Sequence, residues 1–185
     1  MSFSKSASWL RRKCANKRLA VFTGLVFVAS QGLIAYTIRD LPPEKLVVLQ
    51  TTFSKMKFLA IIGVWKLTGV LPQFKAHFYF DFFHPVWYGL FLASLIALAL
   101  NANAISERWN GLMFIPFAAA TLDLVENMVH VYFLLDIRRV TDAAVFIGAS
   151  AACLKWVLAG AGVLIVAGLA GRWVAGRLAG KSAMS

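Results

Sequence analysis

Charge is scarce in this sequence. Only 15% of its 185 residues are charged and 60% are hydrophobic, with a mean hydropathy of +0.72. A typical soluble domain has about 25% charged residues. A chain with so little charge cannot cover itself with a polar surface, so we expect lipid to be its solvent. Its length suits a single domain.

The sequence also lacks the common catalytic and redox signatures. It contains no Gly-x-Ser-x-Gly, no His-Glu-x-x-His, no phosphate loop and no Cys-x-x-Cys, so no reaction can be assigned from a motif. The two cysteines, Cys14 and Cys153, lie in a basic tail and in an apolar segment, respectively. We therefore expect them at different levels of the molecule, without a disulfide between them.

The net charge of +11 does not indicate nucleic-acid binding. The cations flank apolar segments, as they do in membrane proteins, instead of forming one stripe. Cationic flanks of this kind attract the anionic headgroups of a bilayer. We expect membrane lipids as partners, together with other membrane subunits or further copies of the chain, and we expect no nucleic acid.

Four apolar segments are long enough to cross a hydrocarbon core of about 30 Å. Backbone polar groups must be satisfied internally in lipid, so segments of this length indicate helices. A basic tail precedes them at 1–18 and another follows at 172–185. The fourth segment is rich in Gly and Ala, which allow close helix packing. The predicted all-α, four-helix membrane domain covers 19–171, with spans at 19–38, 78–100, 110–135 and 143–171.

The segment between the first two spans, 39–77, is predicted to lie in the membrane interface. Ser54 is a candidate N-cap for a helix at 55–67, whose apolar residues share one side. This pattern is typical of an amphipathic helix that lies flat in the interface. Trp65 would then sit at headgroup level, and His77 is expected to be solvated.

An even number of spans places both termini on one side. With the termini inside, that side carries ten Lys and Arg residues and the other side carries eight. The first helix usually dominates the orientation, and its N-terminal flank is strongly basic. We predict cytoplasmic termini, and the short, compact architecture favours the inner membrane of a bacterium.

Ionisable residues inside membrane spans are costly to bury, so each is a functional candidate. At 100° per residue, the candidates of each span share one arc of their helix. The antiparallel spans bring these arcs to matching depth, which predicts one polar pocket between spans two, three and four, opening toward 39–77. The predicted members are Asp81, His84 and Tyr88 on span two, Asp123, Glu126, Asn127 and His130 on span three, and Lys155 on span four.

One interpretation of this pocket is an intramembrane enzyme that modifies a lipid or an isoprenoid. Histidine changes its charge close to neutral pH, and a carboxyl group can act as general acid or base. The candidate catalytic residues are Glu126, His130, His84 and Asp123. The candidate substrate-binding residues are Asp81, Tyr88, Asn127 and Lys155.

A metal centre is a second interpretation. Asp81-x-x-His84 and Glu126-x-x-x-His130 each place two ligands on one helix face, a donor set that suits iron, manganese or zinc. Spans one and four offer no carboxylate, in contrast to di-iron bundles, so we assign no metal ligand and identify no cofactor. A haem between the two histidines and a small proton-coupled transporter are further alternatives.

The third interpretation is structural, and we adopt it as the first hypothesis. Asp123 and Lys155 would form a buried ion pair that fixes helix packing, and the chain would be an accessory or assembly subunit of a larger membrane complex. The lipid- or isoprenoid-modifying enzyme remains the alternative. In size and four-span plan the chain is similar to the EXPERA families, which bind or isomerise sterols. That similarity is one of architecture and assigns no residue a role.

Overall fold

All regular structure that the computed structural model describes, from residue 3 to residue 182, is helical. Four helical stretches are long and apolar enough to cross a membrane: Lys17–Thr37, His84–Ala102, Glu107–Leu135 and Asp142–Ala179. The predicted all-α architecture with four such helices is therefore confirmed. The predicted C-terminal tail ends at 185, and its last three residues lie outside the described range.

The described chain forms α-helices joined by short turns, with two 3-10 turns at Glu107–Met113 and Ile137–Arg139. In chain order the α-helices are α1 (Phe3–Cys14), α2 (Lys17–Thr37), α3 (Pro43–Thr51), α4 (Lys55–Leu67), α5 (Leu71–Asp81), α6 (His84–Ala102), α7 (Phe114–Leu135) and α8 (Asp142–Ser182).

Small residues let α6, α7 and α8 pack closely. A Cβ atom added at Gly89 of α6 would lie 3.1 Å from the Cβ of Ala120 on α7. A Cβ atom added at Gly148 of α8 would lie 3.1 Å from Cγ1 of Val129 on α7. The close packing of the Gly- and Ala-rich fourth segment against its neighbour is thus as predicted.

The second predicted span, 78–100, is divided in the structure. α5 ends at Asp81, a short turn follows, and α6 begins at His84 with Pro85 as its second residue. Proline has no N–H to donate, and the first turn of a helix is where this loss costs least. The helix therefore restarts at this position.

α5 nevertheless continues along α7 beyond the break. The side-chain amide of Asn127 donates to the backbone carbonyl of Asp81 at 3.0 Å. One helical turn further out, the rings of Phe78 and His130 lie 6.4 Å apart. α5 and α6 together thus run antiparallel to the whole of α7.

Helices α3, α4 and α5 fold together over the ends of α7 and α8, and we call them the α3–α5 layer. The predicted helix at 55–67 is α4, and Ser54 caps it by accepting a hydrogen bond from the N–H of Lys57 at 3.3 Å. Trp65 is only 2% exposed and packs on Phe74, with 4.8 Å between ring centroids. α5 therefore covers Trp65, and the position of this residue at headgroup level stays a prediction.

The basic segment at 1–18 contains a docked helix, α1. Arg11 is buried beneath it and donates to Asn101 Oδ1 at 2.8 Å, to Asn110 Oδ1 at 2.8 Å and to the carbonyl oxygen of Ile105 at 2.9 Å. α1 is thereby fixed to the connection between α6 and α7.

α8 extends well beyond the bundle. Its 41 residues span about 60 Å, and Asn103, at the end of α6, donates to the carbonyl oxygen of Leu169 at 2.9 Å. The residues from 171 to 179 are all exposed. α1 and the last turns of α8 therefore lie at the same end of the bundle.

Candidate functional site

A buried ionic cluster joins α7 to α8. Lys155 Nζ lies 2.6 Å from Asp123 Oδ1, to which it donates a hydrogen bond, and 2.7 Å from Glu126 Oε2. Asp123 is 5% exposed, Glu126 0% and Lys155 6%. We call these three residues the ionic cluster. The sequence predicts an Asp123–Lys155 pair, and the structure adds Glu126 to it.

Helix geometry and helix packing bring the cluster together. Asp123 and Glu126 are three residues apart on α7 and so share a face. The small residues Gly148 and Ala152 of α8 let the two backbones approach closely. Lys155 lies less than one turn beyond Ala152, so its side chain reaches both carboxylates without leaving the interface.

Glu126 is incompletely satisfied. Lys155 Nζ lies 2.7 Å from Oε2, whereas Oε1 has no hydrogen-bond partner in the described chain. His130 Nδ1, one turn along α7, lies 3.7 Å from Oε1. The cluster thus contains two carboxyl groups for one ammonium group, in a site where unpaired charge is costly.

His130 lies between Glu126 and an aromatic wall. Its ring stacks on Phe58 of α4 at 5.7 Å between centroids, and the rings of Phe74 and Phe78 of α5 each lie 6.4 Å away. His130 is only 3% exposed. The α3–α5 layer therefore closes the cluster on the side where the sequence predicted an opening.

Asp81 and Asn127 lie beside the cluster and connect α5 with α7. Asn127 donates to the carbonyl of Asp81, as described above, and the Asp81 carboxylate lies 3.8 Å from His77 Nε2. His77 is buried, and its Nδ1 is hydrogen-bonded to the carbonyl oxygen of Phe74. The expectation that His77 is solvated is wrong, because α5 packs against α7 instead of lying in solvent.

His84 and Tyr88 extend the polar region toward α2. His84 Nδ1 is 2.8 Å from Ser30 Oγ, and its ring lies 5.3 Å from that of Phe27. Tyr88, half-buried, is 5.5 Å from the His84 ring and interacts with the Asp123 carboxylate. The polar region predicted between three spans therefore also contacts a fourth helix, α2.

The structure thus places Asp123, Glu126 and Lys155 in the ionic cluster, with His130, Asp81, Asn127 and Tyr88 beside it, and it pairs His84 with Ser30. Ser30 and His77 were not among the predicted site residues. The i, i+4 spacing of His77 and Asp81 places both on one helix face and could have indicated His77 as a site residue. Ser30 is a single serine in an apolar span, and the sequence gives no signal for its role. Within residues 3–182, no group of three or more His, Cys, Asp or Glu side chains is arranged to hold a metal ion.

No residue of the ionic cluster lines either of two clefts on the described part of the molecule. One lies between α5 and α7 and has a volume of about 490 Å³. The other, of about 300 Å³, lies between α1 and the connection that follows α6. The ionic cluster is therefore a packed interior in this conformation, and its chemistry is that of an ion pair with one carboxyl group in excess.

Comparison with known proteins gives no relative from which a role could be transferred: the chain matches no family model, no curated protein and no solved structure.

Proposed function

We propose that this chain is a multi-pass membrane protein that acts as an accessory or assembly subunit of a larger membrane complex. The four long apolar helices support the membrane assignment. The excess of Lys and Arg at the end where α1 and α8 emerge supports cytoplasmic termini. The α3–α5 layer would then lie at the opposite interface, and the host membrane would be the inner membrane of a bacterium.

The observation that carries the accessory role is the closure of the ionic cluster. Lys155 bridges two carboxylates between α7 and α8, and the aromatic side chains of α4 and α5 cover His130. No residue of the ionic cluster lines either of the two clefts described above. We infer that this cluster specifies which helices pack together, as buried polar groups do in some other proteins.

The outer helices of the bundle offer surface for other subunits. α2 and α8 expose more of their apolar side chains than α6 and α7 do. On α8 the outward-facing side chains include Phe146, Leu154, Val157 and Leu164. The exposed turns of α8 from 171 to 179 extend this surface beyond the bundle.

An intramembrane enzyme acting on a lipid or isoprenoid is the second candidate, and one observation favours it. Glu126 Oε1 is buried without a hydrogen-bond partner, next to His130 Nδ1. A buried carboxylate oxygen without a partner is costly in a purely structural cluster, whereas a carboxyl–imidazole pair can move a proton in general acid–base catalysis.

Gene deletion and complementation separate the two functions. Deletion of the gene should lower the amount of the membrane complex to which the chain belongs, as measured by native electrophoresis and quantitative mass spectrometry of membranes. Wild type, Glu126→Gln and the control Glu44→Gln, an exposed carboxylate on α3, are then returned on a plasmid. We expect all three to restore the complex, because Lys155 keeps Asp123 as its partner in Glu126→Gln.

The enzyme hypothesis predicts a different result in the same strains. Deletion would change the composition of membrane lipids, wild type and Glu44→Gln would restore it, and Glu126→Gln would not. A chain that purifies alone, together with this lipid phenotype, would overturn the accessory role.

A further inference from the structure

An apolar groove of about 490 Å³ runs along the contact between α5 and α7. This volume lies in the range of about 300–1,000 Å³ that is typical of small-molecule sites. Its walls include Phe78 and Tyr79 of α5, Phe82 in the turn after α5, and Val131 and Leu134 of α7, and Lys75 also lines it. No residue of the ionic cluster belongs to it.

The direction of the groove follows from the register of the two helices. Asp81 lies beside Asn127, and Phe78 lies beside His130. Because α5 and α7 are antiparallel, Lys75 lies near the end of α7 at Leu135, and Phe82 lies about two turns deeper. Lys75, the one cation that lines the groove, is therefore at the outer end of the groove, and the inner end of the groove is apolar.

The charge of the groove defines the headgroup that fits it. Lys75 is exposed and forms no ion pair within residues 3–182. No Asp or Glu side chain lines the groove. A cation at headgroup depth, above an apolar channel at acyl-chain depth, is complementary to an anionic amphiphile.

We propose that this groove binds an anionic phospholipid, with the headgroup phosphate at Lys75 and one acyl chain between α5 and α7. The site depends on the membrane placement proposed above, but not on the accessory role. Phe78 lines the groove, and its ring centroid lies 4.0 Å from that of His77 and 6.4 Å from that of His130. A bound acyl chain thus holds Phe78 against His77 and His130.

The test uses the full chain reconstituted in vesicles of equal parts phosphatidylglycerol and phosphatidylcholine, extracted in mild detergent and analysed by native mass spectrometry. We expect wild type to retain one lipid per chain, with phosphatidylglycerol preferred. Lys75→Gln should lower that preference about fivefold, the effect expected for one lysine at a membrane surface. Lys57→Gln, which removes an exposed cation of α4 outside the groove, should leave it unchanged.

A second variant tests the acyl-chain site. Val131→Trp fills the groove, so it should reduce retention of both lipids, with circular dichroism unchanged from wild type. Equal retention of the two lipids by wild type, or an equal effect of Lys75→Gln and Lys57→Gln, would overturn the groove proposal while leaving the membrane placement intact. Failure of wild type to enter the vesicles would instead overturn the membrane placement, and the lipid site with it.

Discussion

Loss of Lys155 should destabilise the protein more than loss of either carboxylate. In Asp123→Asn, Lys155 keeps Glu126 at 2.7 Å, and in Glu126→Gln it keeps Asp123 at 2.6 Å. In Lys155→Met, two carboxylates remain buried without a cation. The three single variants therefore differ in whether they leave a paired cluster or an unpaired one.

The size of the effect follows from distance and burial. With an effective dielectric constant of about 20, Coulomb's law gives each Lys155–carboxylate contact about 6 kcal/mol of gross attraction, before the cost of desolvation. Removing one partner of a buried pair costs about 3–5 kcal/mol in measured cases. We expect a cost in this range for Lys155→Met and about 1–3 kcal/mol for each carboxylate variant.

Thermal unfolding in detergent measures this order. For a chain of this size, about 2–4 °C of Tm corresponds to 1 kcal/mol, so Lys155→Met should lower Tm by roughly 6–20 °C. The triple variant Asp123→Asn, Glu126→Gln, Lys155→Met removes every charge of the cluster. It should recover most of this loss, because an uncharged interior has no unpaired ion.

Two results would refute this reasoning. If Lys155→Met is no less stable than Asp123→Asn, the lysine does not serve both carboxylates. If the triple variant is as unstable as Lys155→Met, the loss arises from packing and not from unpaired charge.

Three further predictions concern other parts of the fold. Arg11→Ala should release α1 and speed hydrogen exchange over residues 3–14, because it removes three hydrogen bonds; the exposed neighbour variant Arg12→Ala should not. Gly89→Leu should lower the free energy of unfolding by about 1–3 kcal/mol, because it overpacks α6 against α7. Gly160→Leu is the control and should change it little, because a Cβ atom at that position has nothing within 4 Å. Thermal unfolding measures both variants. Arg138 beside Asp136 holds the pKa of that carboxyl below its usual value, so the pair stabilises the fold above the unfolded-state pKa and loses this effect as the pH falls through the folded-state pKa. Asp136→Asn should therefore lose slightly less stability on acidification than wild type, and unchanged acid sensitivity would contradict this.

Much of the fold can be predicted from the sequence, because the strongest sequence signals are local ones. Four long apolar segments predict four long helices whatever their partners, and Ser54 marks the start of α4. The division of the second span at His84 also has a local cause, in Pro85, but the continuation of α5 along α7 depends on tertiary contacts with Asn127. No local pattern carries that information.

The candidate site was predictable where helical periodicity governs it. Asp123, Glu126 and His130 share a face because of their spacing, and Lys155 is the one cation at a compatible depth. The bridging of both carboxylates by Lys155 was not predictable, since it depends on how closely Gly148 lets α8 approach α7.

Contacts with the α3–α5 layer were the hardest to foresee. Trp65 and His77 are of residue types, and at sequence positions, that are typical of a membrane interface, yet both are buried. Amphipathicity shows that a helix has an apolar face, but it does not distinguish lipid from protein as the partner of that face. The docking of α1 through Arg11 could not be predicted for a similar reason, because a basic segment before a span usually contacts no other part of the protein.

The closure of α7 on α8 by the ionic cluster is tested most directly by a disulfide in native membranes. A Cβ atom at position 148 lies 3.7 Å from the Cβ of Val129, which suits a disulfide. Val129→Cys, Gly148→Cys is therefore built in a background with Cys14 and Cys153 replaced by alanine. We predict rapid crosslinking with the wild-type cluster, slow crosslinking with Lys155→Met, and recovery in the triple cluster variant. Equal rates in all three backgrounds, or no crosslink in any, would contradict the account.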